Sequence, residues 1–238
     1  MRKGLIIGIA GKAGAGKDTV ASMLSILYDK ECDCSYNDWV NRNPNPKCLY
    51  IKNQVHFADA LKRLCANLLD VNEEAFYNRH YKDELVYLYK GRLFTELPLG
   101  AKYRLITIDD LNAKPMGYYV AKYNIAFTLR TFMQYIGTNI FRNQIDNDFW
   151  VNKTVKEAKK IADKDGLVLI PDVRFNNESD AVKKMFGKVI MINREEVELC
   201  SHESEQLANI NPNYTIDNTG NLFNLFYKVK NLAVDILI

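Results

Sequence analysis

The sequence has no apolar run approaching the roughly 18–20 residues that a membrane span requires. The apolar stretch near its start, Leu5-Ile6-Ile7-Gly8-Ile9-Ala10, is too short for a secretory signal. An excess of one charge is also missing. With 32 basic residues against 29 acidic ones, the net charge is only +3. That balance argues against a protein built to coat nucleic acid, so any basic cluster has to be read locally. Cysteine is sparse and odd in number, at five. Without a secretory signal this favours reduced thiols, and a cytoplasmic location is expected. Cys32, Cys34 and Cys48 lack a fourth ligand at a usual zinc spacing. His56 is the nearest candidate, but it lies in an apolar segment and reads as a satisfied core histidine. There is no internal repeat and no low-complexity tail.

What is present is the composition of an ordinary globular chain: 238 residues, 47% hydrophobic and 26% charged. That length suits one domain with a sizeable core, with room for a lid or an insertion. The chain is organised around Gly11-Lys12-Ala13-Gly14-Ala15-Gly16-Lys17-Asp18-Thr19. The apolar run before it reads as a strand, and Val20 to Leu27 after it has helical spacing. Strand, glycine loop and helix in that order are the setting of a phosphate-binding loop. Glycines let the backbone turn its N–H groups inward, and the following helix points its positive end at the phosphates. Lys17 is placed to reach the β/γ-phosphates. Asp18 stands where the common motif has Ser or Thr, and Thr19 follows it.

Along the chain, residues 31–47 are rich in Asn, Asp and Pro and read as a surface loop. Leu49-Tyr50-Ile51 and Val55-His56-Phe57 read as short strands, and Asp59 as the N-cap of a helix over 60–69. Asn72 through Tyr77 suggests a short helix, followed by a basic, aromatic run containing Arg79 and Lys82. Residues 84–126 read as an insertion without an assigned role, in which 118–121 suits a strand. Leu129 to Phe141 has the spacing of a strong helix, and Asp148 starts another that Gly166 closes. Leu167-Val168-Leu169-Ile170, ending at Pro171-Asp172, fits a central parallel strand that delivers a carboxylate to its C-terminal edge. Glu178 to Met185 reads as helix, Val189–Ile192 and Tyr214–Ile216 as strands. A last amphipathic helix carries Leu222, Leu225, Phe226, Val229, Leu232 and Val234.

Alternating strands and helices imply an α/β fold with a parallel sheet and helices on both faces. Ligands then bind at the C-terminal edge of the strands, where the glycine loop, Ala58-Asp59, Asp172, Arg174 and Arg194 are expected to converge. Asp172 suits Mg²⁺, held directly or through water, and equally a cap. Arg174 suits an acceptor phosphate and equally a structural salt bridge. Arg130 and Gln134, four residues apart, share a helical face, where one can take a phosphate and the other a base edge.

Gly11 to Thr19, in the form GKAGAGKDT, resembles the phosphate loop of nucleoside monophosphate kinases. Beyond it the chain looks like the deoxynucleoside monophosphate kinases of tailed bacteriophages. The carrying segments are FADALK (57–62), LRTFMQYIGTNIFRNQIDNDFWV (129–151) and LVLIPDVRFNNESDAV (167–182), extended by VIMINR (189–194), HESE (202–205) and IDNTGNLFNL (216–225). The resemblance implies a three-layer P-loop kinase fold forming a single domain over 1–238, with an acceptor-side helical insertion at 58–146 and a lid at 194–212. It implies transfer of the γ-phosphate of ATP to a deoxynucleoside monophosphate, with Mg²⁺. Gly14, Ala15, Gly16, Lys17, Asp18 and Thr19 match the part that holds the ATP phosphates, and Asn218 and Gly220 would lie near the adenine. Lys62, Arg79, Arg130, Gln134, Gly137, Thr138 and Trp150 match the acceptor side. Asp172, Arg174 and Glu178 match a cluster between acceptor phosphate and metal, and Asp18, Thr19 and Asp172 are the metal candidates. Lys17, Asp172, Arg174 and Arg194 are the catalytic candidates, with Arg194 and His202–Glu205 matching a lid over the phosphates.

Two alternatives stand beside this: another small-molecule P-loop kinase such as a dephospho-coenzyme A kinase-like enzyme, and a regulatory P-loop ATPase with no acceptor. Neither nucleic acid nor a membrane is expected as a partner, and a homodimer is compatible with the sequence.

Overall fold

The computed structural model describes residues 4–45, 48–78, 81–89, 92–96, 100, 102–194 and 210–237. In chain order the strands and α-helices begin with β1 (Leu5–Gly11), α1 (Lys17–Asp29), α2 (Tyr36–Arg42), α3 (Asp59–Leu69), β2 (Leu85–Tyr89), β3 (Arg92–Phe94) and β4 (Arg104–Leu105). They continue with α4 (Ile108–Ala113), α5 (Met116–Val120), β5 (Ile125–Thr128), α6 (Leu129–Gln134), α7 (Phe149–Asp165), β6 (Leu167–Val173), α8 (Asn176–Lys184), β7 (Lys188–Asn193), β8 (Tyr214–Asp217) and α9 (Leu222–Leu237). The chain divides into two compact units. One comprises residues up to Phe57 together with those from Val151 onward, and the other is Ala58–Trp150.

The first unit is an α/β layer built on a four-stranded parallel sheet in the order β6-β1-β7-β8. The middle residues of β1, β6 and β7 are apolar and buried because helices cover both faces. On one face α1 and α9 pack Val20, Leu24 and Leu27 with Phe226 and Val229. On the other, α7 and α8 bury Val151, Ala158, Ala162 and Val182 against Ile6, Val168 and Ile170. Gly166 turns the chain from α7 into β6 with φ +85°, a conformation that side-chain-bearing residues rarely adopt.

Several expectations are corrected here. β6 is an edge strand of the sheet, not a central one. Its all-apolar sequence still fits, because the segment at 53–55 runs along its outer side. There Val55 N–H donates to Leu169 O, and Leu169 N–H to Asn53 O. That contact is a single bridge, so neither 49–51 nor 55–57 forms a strand.

Residues 31–47 are not simply a loop. Ser35 and Asp38 form a reciprocal capping box that starts α2. The helix buries Trp39, whose indole N–H donates to Ser22 Oγ (3.1 Å), and Ser22 in turn donates to Asn43 Oδ1 (3.1 Å). Three polar groups are thereby satisfied in the core, which removes the penalty for burying them. On α9, Leu222 and Val234 are exposed, and the buried face is Leu225, Phe226, Val229, Ala233 and Leu237.

The second unit is built on a four-stranded sheet in the order β3-β2-β5-β4, in which only the β4–β5 pairing is parallel. Val86, Ile125 and Phe127 pack onto Cys65, Phe76, Leu129 and Phe132. The expected strand at 118–121 is instead the end of α5 and the turn after it, with Tyr119 buried. Asp59 is the first residue of α3, and its N-cap is Ala58. The helix expected over 129–141 changes character at Tyr135, where α6 passes into a π-helix over Tyr135–Ile145. Wider winding of this kind is rare and is frequently found at functional sites.

Candidate functional site

The register of the parallel sheet brings the strand ends of the first unit level with one another. Gly11 lies beside Ile192, Asn193 beside Asp217, and Ala10 beside Val173. The glycine loop after β1, Asp172 and Arg174 at the end of β6, Arg194 after β7 and Asn218 after β8 therefore all sit along the same edge. Ala58 and Asp59 belong to the second unit.

In the loop itself, Gly14 and Gly16 have φ of +78° and +96°. Gly16 is the N-cap of α1 and has no side chain, so no cap hydroxyl or carboxylate competes for the amides of the first turn. Those amides, with the helix dipole behind them, make an anion site. Lys17 Nζ lies inside the curve of the loop and donates to the carbonyls of Gly11 and Lys12, both at 2.8 Å. Asn218 ties the loop to the last strand. Its Nδ2 donates to Ala15 O (2.9 Å), and its backbone N–H donates to Asn193 O (2.7 Å). A Cβ on Gly16 would lie 2.7 Å from that same Nδ2. The close approach of Asn218 therefore requires the glycine.

Beside the loop opens a cleft of about 530 Å³. Gly16, Thr19, Arg194, Asn218 and Gly220 line it on the loop side, and Tyr36, Asn221, Leu222, Phe223 and Leu225 beyond. Asp18, next to Thr19, is exposed in the first turn of α1.

Asp172 is largely buried. Its Oδ1 accepts from the Phe57 N–H (3.1 Å), and its Oδ2 lies 3.7 Å from His56 Nδ1. Burial pushes its carboxyl pKa up. Hydrogen bonding and attraction from His56 outweigh that, with the Phe57 amide and the Arg174 charge adding to them, and hold the group below the usual carboxylate value. His56 is therefore not a core histidine. It is half-buried and faces the carboxylate, which its apolar sequence neighbours gave no sign of. Glu178, buried in the first turn of α8, accepts from the backbone N–H groups of Arg174 (2.8 Å) and Phe175 (3.1 Å). It shapes the turn that carries Arg174, whose side chain is exposed.

In the second unit, Lys62 is buried to 8% exposure. Its ammonium lies 3.2 Å from Asp59 Oδ1 and 3.9 Å from the centre of the Tyr77 ring. Arg130 projects from α6 and grips Asp83 with both arms, Nε to Oδ1 at 2.6 Å and an Nη to Oδ2 at 3.0 Å. Gln134 lies four residues on in the same helix and is half-buried, while Thr138, in the π-helix, is exposed. Trp150 is buried between Phe141 and Phe149, and its indole N–H donates to Gly137 O (3.1 Å). It braces the π-helix. Arg79 and the lid stretch 195–209, with His202–Glu205, lie outside the described residues.

On the apolar side of the cleft, Leu222 and Leu225 belong to the amphipathic pattern of the last helix, whereas Tyr36 and Phe223 were not singled out in the sequence. Tyr36 enters through α2, for which Ser35-x-x-Asp38 was the one available signal.

Comparison with known proteins adds independent support. A family model described as deoxynucleotide monophosphate kinase matches residues 60–229. The deoxynucleoside-5'-monophosphate kinase of Escherichia phage T5 is 24% identical, the match covering 76% of this chain and 72% of that protein. A protein of Acanthamoeba polyphaga mimivirus, named a deoxynucleotide monophosphate kinase, is 25% identical over 90% of this chain and 91% of its own. A solved Mycobacterium tuberculosis APS kinase, in complex with AMPPNP and APS, aligns over 98% of both chains at 9% identity with a TM-score of 0.39, a likeness too loose to build on. The family match takes in well over half of the sequence, including α6, the π-helix and the ends of β6, β7 and β8, and this chain belongs to the deoxynucleotide monophosphate kinase family.

Proposed function

We propose that the chain transfers the γ-phosphate of ATP to a deoxynucleoside 5'-monophosphate, giving the diphosphate and ADP. The observation that carries the donor half is the glycine loop. It combines left-handed Gly14 and Gly16, a helix start with no side-chain cap, and an ammonium held at 2.8 Å from two loop carbonyls.

Phosphoryl transfer asks the protein chiefly to neutralise charge and hold groups in line. Lys17 can swing from the Gly11 and Lys12 carbonyls onto the β/γ-oxygens, a short move for an ammonium already at the loop mouth. Arg194, on the cleft wall, suits the transferring phosphoryl group, and Arg174 suits the acceptor phosphate. Glu178 fixes the backbone from which Arg174 projects.

Mg²⁺ fits the residues present. Thr19 offers a hydroxyl at the cleft, Asp172 a carboxylate held in its charged form, and Asp18 a second, exposed carboxylate. These are hard oxygen donors of the kind Mg²⁺ takes, and it commonly uses one or two of them together with substrate phosphates. When bound it would neutralise charge on the phosphate oxygens.

On the acceptor side, Lys62 and Arg130 supply cations, Gln134 an amide for a base edge, and Thr138 a hydroxyl. Arg79 matches the same region in sequence. Asp83 occupies the guanidinium of Arg130, so an acceptor phosphate competes with it for the same donors. The acceptor-side insertion is proposed at 58–146, within the unit Ala58–Trp150, and the lid at 194–212.

The test is ADP release across a panel of acceptors: dAMP, dGMP, dCMP, dTMP, modified pyrimidine monophosphates and the ribonucleotides. At least one deoxynucleotide should stimulate ADP formation and appear as its diphosphate, and Arg174→Ala should chiefly weaken its use. ATP hydrolysis indifferent to every acceptor would overturn the proposal.

A further inference from the structure

We propose that Tyr36 and Phe223 form an aromatic platform for the base of the nucleoside triphosphate donor. This deepens the reading of the glycine loop as the donor-phosphate site and rests on it.

The cleft beside the loop changes character along its length. Near Gly16 and Thr19 it is polar. Beyond Asn218 and Gly220 it is lined by Tyr36, Leu222, Phe223 and Leu225. A triphosphate held at the loop must send its nucleoside out of the loop, and this cleft is contiguous with it. Phe223 and Leu222 are 49% and 47% exposed, and they stand side by side in the cleft. A purine or pyrimidine ring covers such a surface favourably, because every base offers a π-face to stack.

The rings are held in place. Tyr36 is the first residue of α2, and the Ser35–Asp38 capping box sets that helix start. Its ring stands 5.5 Å from Phe223 at 72° and 5.9 Å from Phe226 at the same angle, and it is 5.8 Å from Trp39. Tyr227 supports Phe223 from behind at 4.8 Å. The two rings meet edge to face, and both line the cleft. One end of each asparagine amide on this wall is engaged: Asn218 Nδ2 donates to Ala15 O, and Asn221 Oδ1 accepts from the Asn224 N–H. The rings beside them add a surface on which a base can stack.

The test compares ATP with inorganic tripolyphosphate, which carries the phosphates without the nucleoside. Each is titrated calorimetrically into the full chain with Mg²⁺, with no acceptor present. Wild type should bind ATP more tightly than tripolyphosphate. Phe223→Ala and Tyr36→Leu should each weaken ATP by about tenfold while tripolyphosphate stays within about twofold. Tyr36→Phe and Phe223→Tyr, which keep the ring, should bind ATP as wild type does. Leu at position 36 retains apolar bulk against Phe226, so loss of folding is not the expected cause. Unchanged ATP affinity in both ring-deleting variants would overturn the platform. So would a parallel loss of ATP and tripolyphosphate, which marks damage to the loop. If wild type binds neither ligand, or if Lys17→Ala leaves both affinities intact, the donor-site reading itself falls and takes the platform with it.

Discussion

Gly16 offers a sharp perturbation, because two separate costs meet there. Alanine at this position must hold φ near +96°, which is about 1–2 kcal/mol unfavourable for an L-residue. Its Cβ would also sit 2.7 Å from Asn218 Nδ2. The side chain of Asn218 can relieve that clash by swinging away, but it then gives up its bond to Ala15 O, worth about 1 kcal/mol. Gly16→Ala should therefore destabilise the protein by about 2–3 kcal/mol. Asn218→Ala loses only the hydrogen bond, about 1 kcal/mol. In the double variant the bond is already gone and the clash has no partner, so only the backbone cost is added and the total stays at about 2–3 kcal/mol.

The decisive quantity is the shortfall from additivity, about 1 kcal/mol in a double-mutant cycle measured by urea denaturation at constant m-value. An additive cycle would refute the claim that Asn218 and Gly16 are coupled through this contact. It would leave Asn218 as an independent tether.

Three further outcomes are expected. Lys17→Ala should lower kcat by about 10²–10³-fold, which steady-state ADP release checks. Ser22→Ala should cost about 1–3 kcal/mol in urea denaturation, because it strands the buried Trp39 indole N–H; a neutral result would mean another acceptor takes over. Asp38 has a lowered pKa, chiefly through its hydrogen bond from the Ser35 hydroxyl and then the Ser35 amide. A lowered folded pKa means that its contribution is complete above its ordinary value of 3.8 and is lost as the pH falls through the depressed one. The stability difference between wild type and Asp38→Asn should accordingly shrink in acid unfolding below pH 3.8, and a difference that grows there would contradict the assignment.

How much was legible depended on the range of the interaction involved. The glycine loop could be read because its chemistry is local: three glycines, a lysine and a helix start within nine residues. The helices α1, α3, α7, α8 and α9 and the strands β1, β6, β7 and β8 carry their own periodicity, and each appeared near its expected bounds. The stretch 84–126 did not. Its strands are two to five residues long and gain stability only by pairing across the second sheet, so no single segment announces itself. Residues 118–121 read as strand from their tyrosines, yet Pro115 starts a helix there and Tyr119 is buried from it. Over 135–141 the apolar spacing pointed to an α-helix and was silent about the wider winding, within which Gly137 O accepts the Trp150 indole N–H.

The sequence by itself determined that a strand, a glycine loop and a helix follow one another at its start, and that acids and arginines follow the later strands. Each of these is a property of a few neighbouring residues. Only the tertiary structure decided that β6 lies at an edge, that His56 faces Asp172, that Asn218 reaches 203 positions back in the chain to hold Ala15, and that Tyr36 meets Phe223. Those contacts join residues far apart in the chain. What brings them together is burial of the shared core and the register of parallel strands, neither of which leaves a local mark in the sequence.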